Sequence, residues 1–285
     1  MSAPLDPPRH LVAEAVARAI AEDLGPLGDL TAALIPAETH GVADFVVRRP
    51  GVLAGTACAT EAFAQLDAAV DVEWRVRDGA VLGTGTVIGT VGGPLRSVLT
   101  GERTALNFLC HLSGVATATR VFVEALDGKA RVLETRKTLP GLRALEKAAV
   151  RAGGGVNHRG SLSDMVLVKD NHLGELGITD AVLLARELWP GRGVEVECER
   201  ADQVAEAVEA GADLVMLDNM TPDQVAGCVR LVREGPRPGT LIEVSGGLTV
   251  ENVGAIAEAG VDLVSTSAIT QSAPALDIAL DLRIN

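Results

Sequence analysis

Apolar positions recur at helical spacing over residues 11–22 and give way to a Gly25-Pro26-Leu27-Gly28-Asp29 loop. Residues 41–49, 70–77 and 80–91 then alternate partly between apolar and polar positions and are punctuated by glycine, which predicts strands. Within the last of these, Gly83-Thr-Gly-Thr-Val-Ile-Gly89 has the glycine spacing of a dinucleotide loop. It lies inside an alternating pattern, however, without the strand–turn–helix setting such a loop needs. Residues 100–126 return to a helical rhythm and predict one or two helices, broken near Ser113-Gly114.

Beyond this point the rhythm changes. Short apolar runs of strand length fall at 131–134, 165–168, 193–197, 213–217, 241–244 and 261–265, with helical patterns between most of them. That is the cadence of successive βα units in a parallel barrel or doubly wound sheet. A partial repeat agrees: Glu209-Ala-Gly-Ala-Asp213-Leu-Val recurs as Glu258-Ala-Gly-Val-Asp262-Leu-Val. In each copy a helix is expected to end at the glycine and a strand to begin at the aspartate. The fold class expected is α/β, with a barrel of TIM type that is incomplete.

Composition narrows the function. The chain has 285 residues, a net charge of −13, 2% aromatic residues and no tyrosine, which disfavours phosphate backbones and base stacking. No uninterrupted apolar run approaches membrane-spanning length, and the proline-rich first ten residues hold no signal-like core. The four cysteines form no CxxC pair or metal spacing and read as reduced, mostly buried thiols of a cytoplasmic protein. Between Arg131 and His172 eight Lys/Arg stand against four Asp/Glu, a basic island in an acidic chain. Such an island suits capture of a small anion.

In βα barrels the functional groups sit at the C-terminal ends of strands. Those ends here carry Arg136 and Lys137, then Lys169 and His172, then Glu197, then Asp218, then Ser245-Gly246-Gly247, and last Ser265-Thr266-Ser267-Ala268. The two glycine- and hydroxyl-rich loops come late in the barrel, where backbone N–H groups commonly hold a phosphate. Glu197 and Asp218 would point inward and suit Mg²⁺ bound through water, phosphate or ribose oxygens. Two of the chain's four lysines, Lys137 and Lys169, fall at strand ends. With Arg103, Arg136, His158 and Arg159 they supply more donors than one phosphate needs, and suit a pyrophosphate together with a multiply charged organic acid. His10, His40 and His111 read as structural or surface residues.

These motifs resemble the quinolinate phosphoribosyltransferase family, the decarboxylating nicotinate-nucleotide pyrophosphorylases of NAD synthesis. The match begins at Glu22-Asp23 and passes through Asp29-Leu-Thr31, Gly51-Val-Leu-Ala-Gly55 and Leu99-Thr-Gly-Glu-Arg103. It is densest from Glu134-Thr-Arg-Lys-Thr-Leu-Pro-Gly-Leu-Arg143 through Gly153-Gly-Gly-Val-Asn-His-Arg159 to Lys169-Asp-Asn-His172. The resemblance implies an N-terminal α/β sandwich domain over residues 1–113, to which residues 275–285 return, and an open barrel of about seven strands over 114–274. It further implies a homodimer or a larger assembly of dimers, in which Arg103 reaches the neighbouring active site. There Arg103, Arg136, His158, Arg159 and Lys169 would bind the carboxylates of quinolinate, with His172 lining the pocket. Lys137 would contact phosphoribosyl pyrophosphate, Glu197 and Asp218 the ribose and Mg²⁺-pyrophosphate, and Ser245, Gly246, Gly247, Ser267 and Ala268 the 5′-phosphate.

Two positions depart from the family pattern. Thr266-Ser267-Ala268 stands where the family usually has Val-Gly-Ala, and Gln271 where it usually has a basic residue. A serine still offers its N–H, but glutamine removes a charge-assisted contact, so weaker affinity for phosphoribosyl pyrophosphate is expected. Two rival readings are an enzyme of the same scaffold with another acid substrate, such as a paralogue linked to molybdenum transport, and a non-catalytic phosphate sensor. The retained cationic set and acidic pair favour the transferase.

Overall fold

A computed structural model describes residues 6–174 and 176–283. In chain order, the first half contains α1 (Arg9–Leu24), β1 (His40–Val47), β2 (Gly51–Val52), α2 (Thr56–Leu66), β3 (Asp71–Trp74), β4 (Val81–Leu82), β5 (Val87–Pro94) and α3 (Leu95–Leu126). There follow β6 (Arg131–Leu133), α4 (Arg143–Gly153), β7 (Val166–Val168), α5 (Asp170–Leu173), α6 (Ile178–Leu188), β8 (Val194–Cys198) and α7 (Ala201–Ala210). The chain finishes with β9 (Leu214–Asp218), α8 (Pro222–Glu234), β10 (Leu241–Ser245), α9 (Val250–Ala257), β11 (Leu263–Ser265) and β12 (Ile278–Leu282). Two compact units result. The first takes the residues up to Arg120, Thr138–Gly154 and those from Ala268 onward, and the second takes Val121–Lys137 and Gly155–Ser267.

The first unit is built on an antiparallel sheet in the order β12-β1-β5-β3. β1 is therefore paired on one side by the last strand of the chain, Val47 opposite Ile278. Phe45 is fully buried between Trp74, stacked at 4.9 Å, and Phe63, edge-on at 6.4 Å. Gly83 and Gly85 belong to the β4–β5 turn and Gly89 to β5 itself, so this stretch is not a nucleotide loop. Gly89 is glycine because a Cβ there would lie 2.7 Å from the Trp74 ring.

α3 is one continuous helix, which corrects the expected break at Ser113-Gly114. Both residues serve packing instead. Ser113 Oγ donates to Ala54 O at 3.1 Å and accepts from Ala54 N at 3.0 Å. A Cβ on Gly114 would run into Pro274 O, so the chain after Thr270 can lie against the helix only where a side chain is missing. By length and composition α3 is also the one described helix able to cross a membrane. More than half of its apolar window, 56%, is buried inside the protein, as in a core helix.

The second unit is a parallel six-stranded sheet, β6-β11-β10-β9-β8-β7. A seventh position is held by Val156, which bridges Leu133 in parallel on the free side of β6. This matches the expected open barrel, with its seventh strand reduced to a single bridge. Val194, Val196, Val215, Leu217, Ile242, Val244 and Val264 are all at most 1% exposed. They alternate with the inward positions that carry Glu195, Glu197, Asp218 and Glu243.

The sequence repeat has a structural purpose. Asp213 accepts the Val194 N–H at 2.8 Å and pairs with Arg186 at 2.7 Å. Asp262 accepts the Ile242 N–H at 2.7 Å and pairs with Arg233 at 2.6 Å. In both copies the aspartate accepts a backbone donor at the start of the preceding strand and anchors an arginine from an earlier helix. Gly211, with a left-handed φ of 96°, ends α7 as expected, whereas α9 ends earlier, at Ala257, and Gly260 (φ 91°) lies in the turn that leads to Asp262.

Candidate active site

Sequence-identified residues converge at the C-terminal ends of the second unit's strands. Lys169, just after β7, forms an ion pair with Glu197 of β8, the lysine half-buried and the glutamate more deeply so. Its backbone N–H donates to His172 Nδ1 at 3.0 Å, which fixes that exposed imidazole on the loop. Asp218 ends β9, half-buried, and accepts Asn219 Nδ2 at 2.8 Å. Arg136 and Arg159 are half-buried and Lys137 is exposed. Burial, and after it the neighbouring Arg136 guanidinium, holds Arg159 below its ordinary pKa. Two guanidinium groups side by side in partial burial make a natural seat for a carboxylate.

The glycine loop after β10 turns through left-handed backbone at Gly246 (φ 86°) and Gly247 (φ 61°). Asn219 crosses over it: its N–H donates to Ser245 O at 3.1 Å, and a Cβ on Gly246 would collide with its side-chain oxygen. Asn252, in the first turn of α9, donates to Gly247 O at 3.0 Å and accepts Thr249 N–H at 2.8 Å. The loop is thus held against the start of a helix, where backbone donors favour an anion. Ser267 and Ala268 follow β11 and are half-buried. Arg103 and Ala268 belong to the first unit, Arg103 exposed on α3. His111, read as structural, lies 2.8 Å from Glu146, a fully buried carboxylate of the same unit.

The remaining predicted residue, His158, is turned away from solvent. Its Nε2 lies 3.1 Å from Glu195 Oε2 and 3.6 Å from Glu243 Oε2, and its Nδ1 accepts the Arg159 N–H at 2.7 Å. Glu195 and Glu243 are both fully buried. Burial, followed by the adjacent Glu195, pushes Glu243 up to about 7, with His158 partly offsetting them. A third interior carboxylate, Glu134, accepts the His158 N–H at 3.2 Å and Asn157 Nδ2 at 2.8 Å. Sequence reading gave these three glutamates no role. Their signal was a carboxylate inside an apolar strand run, as in Leu241-Ile-Glu243-Val, and the spacing of two between Glu195 and Glu197.

An open parallel barrel with cations, carboxylates and a glycine–helix anion loop at one rim defines an enzyme that handles phosphorylated, acidic substrates. Two family models divide the chain between them: quinolinate phosphoribosyl transferase, N-terminal domain, over residues 29–113, and its C-terminal domain over residues 115–281. The chain belongs to the quinolinate phosphoribosyl transferase family. It is 43% identical to the nicotinate-nucleotide pyrophosphorylase [carboxylating] of Mycobacterium leprae, over 94% of this chain and 96% of that one. It is 42% identical to a probable enzyme of the same name from Synechocystis, covering 92% and 90%. The solved nicotinate-nucleotide pyrophosphorylase of Francisella tularensis superposes with a TM-score of 0.92 at 38% identity, covering 98% of each chain.

Proposed function

We propose that this protein converts quinolinate and phosphoribosyl pyrophosphate into nicotinate mononucleotide, pyrophosphate and CO₂, in NAD biosynthesis. The observation that carries the reading is the convergence of Arg136, Lys137, Arg159 and Lys169 with Glu197 and Asp218 at one strand rim, in a chain of this family.

Arg136 and Arg159 bind a carboxylate of quinolinate as a bidentate acceptor, and Lys169 approaches from the side of Glu197. Lys137 faces the pyrophosphate, and the Gly246–Gly247 backbone receives the 5′-phosphate, with Ser267 and Ala268 on the following loop. The pyridine nitrogen attacks the anomeric carbon as the bond to pyrophosphate breaks, and Glu197 and Asp218 stabilise the positive charge that develops on the sugar. The ring nitrogen is then cationic. The carboxylate beside it leaves as CO₂, its bonding electrons pass to the ring carbon, and that carbon takes a proton. The arginines keep the other carboxylate in place throughout.

Glu197 and Asp218 present hard oxygen donors, each with lone pairs left over after its Lys169 or Asn219 contact, and so fit Mg²⁺. When bound there, the ion would neutralise charge on the departing pyrophosphate. Exposed Arg103 is free to reach the active site of a second copy in a homodimer or an assembly of dimers. Four free thiols, three of them buried, suit a cytoplasmic setting.

The test is turnover of quinolinate with phosphoribosyl pyrophosphate and Mg²⁺ by wild type and Lys137→Ala. The reading expects product from the wild type and a large loss in the variant. Near-normal turnover by Lys137→Ala would contradict the role given to that lysine.

A further inference from the structure

The interior of the barrel holds a group that the reaction above does not use. Glu195 and Glu243 are fully buried, and all four of their carboxylate oxygens are withdrawn from water. His158 Nε2 is set between them, 3.1 Å from Glu195 Oε2 and 3.6 Å from Glu243 Oε2, and the Ser265 hydroxyl also faces Glu243. Three potential ligand atoms lying within 4.8 Å of one another have the spacing of a metal site. The tautomer points elsewhere. Nδ1 of His158 accepts the Arg159 N–H at 2.7 Å, so its lone pair is engaged and the ring hydrogen sits on Nε2. A nitrogen carrying hydrogen cannot ligate a cation.

The imidazole is therefore gripped at both ends, by a backbone amide on one side and the two glutamates on the other. Glu134 holds the same loop through the His158 N–H and Asn157. The loop's next residue, Arg159, is anchored to Met165 O at 3.4 Å and stands beside Arg136. We propose, resting on the function given above, that Glu195 and Glu243 are positioning residues: they fix the His158 ring and, through its Nδ1 contact, hold Arg159 where it meets the substrate's carboxylate. The glutamates touch no substrate. Losing them loosens recognition of the acid and leaves the phosphoribosyl side intact.

Two measurements test this. In steady-state kinetics, Glu243→Ala should raise KM for quinolinate about tenfold, the order of one lost contact to a charged group, with KM for phosphoribosyl pyrophosphate and kcat little changed. Glu243→Gln, whose amide oxygen can still accept from Nε2, should recover most of that loss. Equal rises in both KM values, or a fall in kcat alone, in variants with normal circular dichroism, would overturn the proposal. The second measurement reads the wild type itself and uses a variant only to assign the signal. Long-range ¹H–¹⁵N spectra of the wild type, assigned with His158→Gln, should show the Nε2–H tautomer at His158. An Nδ1–H tautomer, or a divalent ion coordinated by the His158 ring, would sink it. Because these spectra do not depend on turnover, a wild type inactive on quinolinate would refute the function while leaving the positioning network separately testable.

Discussion

Asn219 occupies the space where a side chain on Gly246 would have to go. Its amide oxygen fills the Cβ position, and its backbone N–H is bonded to Ser245 O at 3.1 Å. Asn219 is itself one of two described non-glycine residues with positive φ, at 54°. The end of β9 and the loop after β10 are thus a matched pair, in which a strained asparagine is accommodated by a glycine.

Gly246→Ala should therefore suffer twice, from the collision and from a left-handed φ that costs an alanine about 1–2 kcal/mol. We expect a melting temperature lower by several degrees and a KM for phosphoribosyl pyrophosphate raised about tenfold, since the loop's N–H groups would turn away from phosphate. Adding Asn219→Ala should recover part of the stability by removing the collision, but not all of it. Thermal melts of the single and double variants read this directly.

Gly114→Ala should be strongly destabilising although alanine is the better helix former by about 1 kcal/mol. The Cβ meets Pro274 O, and relieving it must move either α3 or the chain leading to β12. A loss of about 2–3 kcal/mol is expected from overpacking, read as a lower urea midpoint at unchanged slope.

Those two glycines mark where sequence alone was a good guide and where it was not. The barrel strands were legible because each apolar run is bounded by Gly, Asp or a charged strand end, and all six fall within a residue or two of the observed β6–β11. The rim residues followed, because strand ends fix which side chains meet. Ser113-Gly114 misled because local rules read Ser-Gly as a break, whereas the glycine answers to Pro274, far along the chain. The short β2–β4 ladder and the alanine-rich α2 have too little periodicity to stand out. Glu195 and Glu243 escaped notice because their partner, His158, reaches them only once the barrel closes.

Stability should depend on pH through Glu243. Its folded pKa is raised to about 7 by burial and by Glu195, with His158, Ser265 and Lys169 opposing. Between its ordinary value and about 7 the folded state holds a proton that the unfolded state has released, so this group's contribution weakens as pH rises through that window. Glu243→Gln removes the effect. The variant should therefore gain on wild type in melting temperature between pH 5 and pH 8, and a constant difference across that range would contradict it.

Gln271 is exposed at the position where the family resemblance leads one to expect a cation. Gln271→Arg should lower KM for phosphoribosyl pyrophosphate about fivefold to tenfold, the scale of one charge-assisted contact, without altering KM for quinolinate. Initial-rate measurements with each substrate varied in turn decide it.

The most direct test mixes purified protein with quinolinate, phosphoribosyl pyrophosphate and Mg²⁺ and follows nicotinate mononucleotide and CO₂ together, beside reactions with nicotinate in place of quinolinate and with EDTA. The account expects equal amounts of both products from quinolinate, none from nicotinate, and none with EDTA. Folded protein that binds both substrates yet releases neither product, or that uses nicotinate equally well, would contradict it.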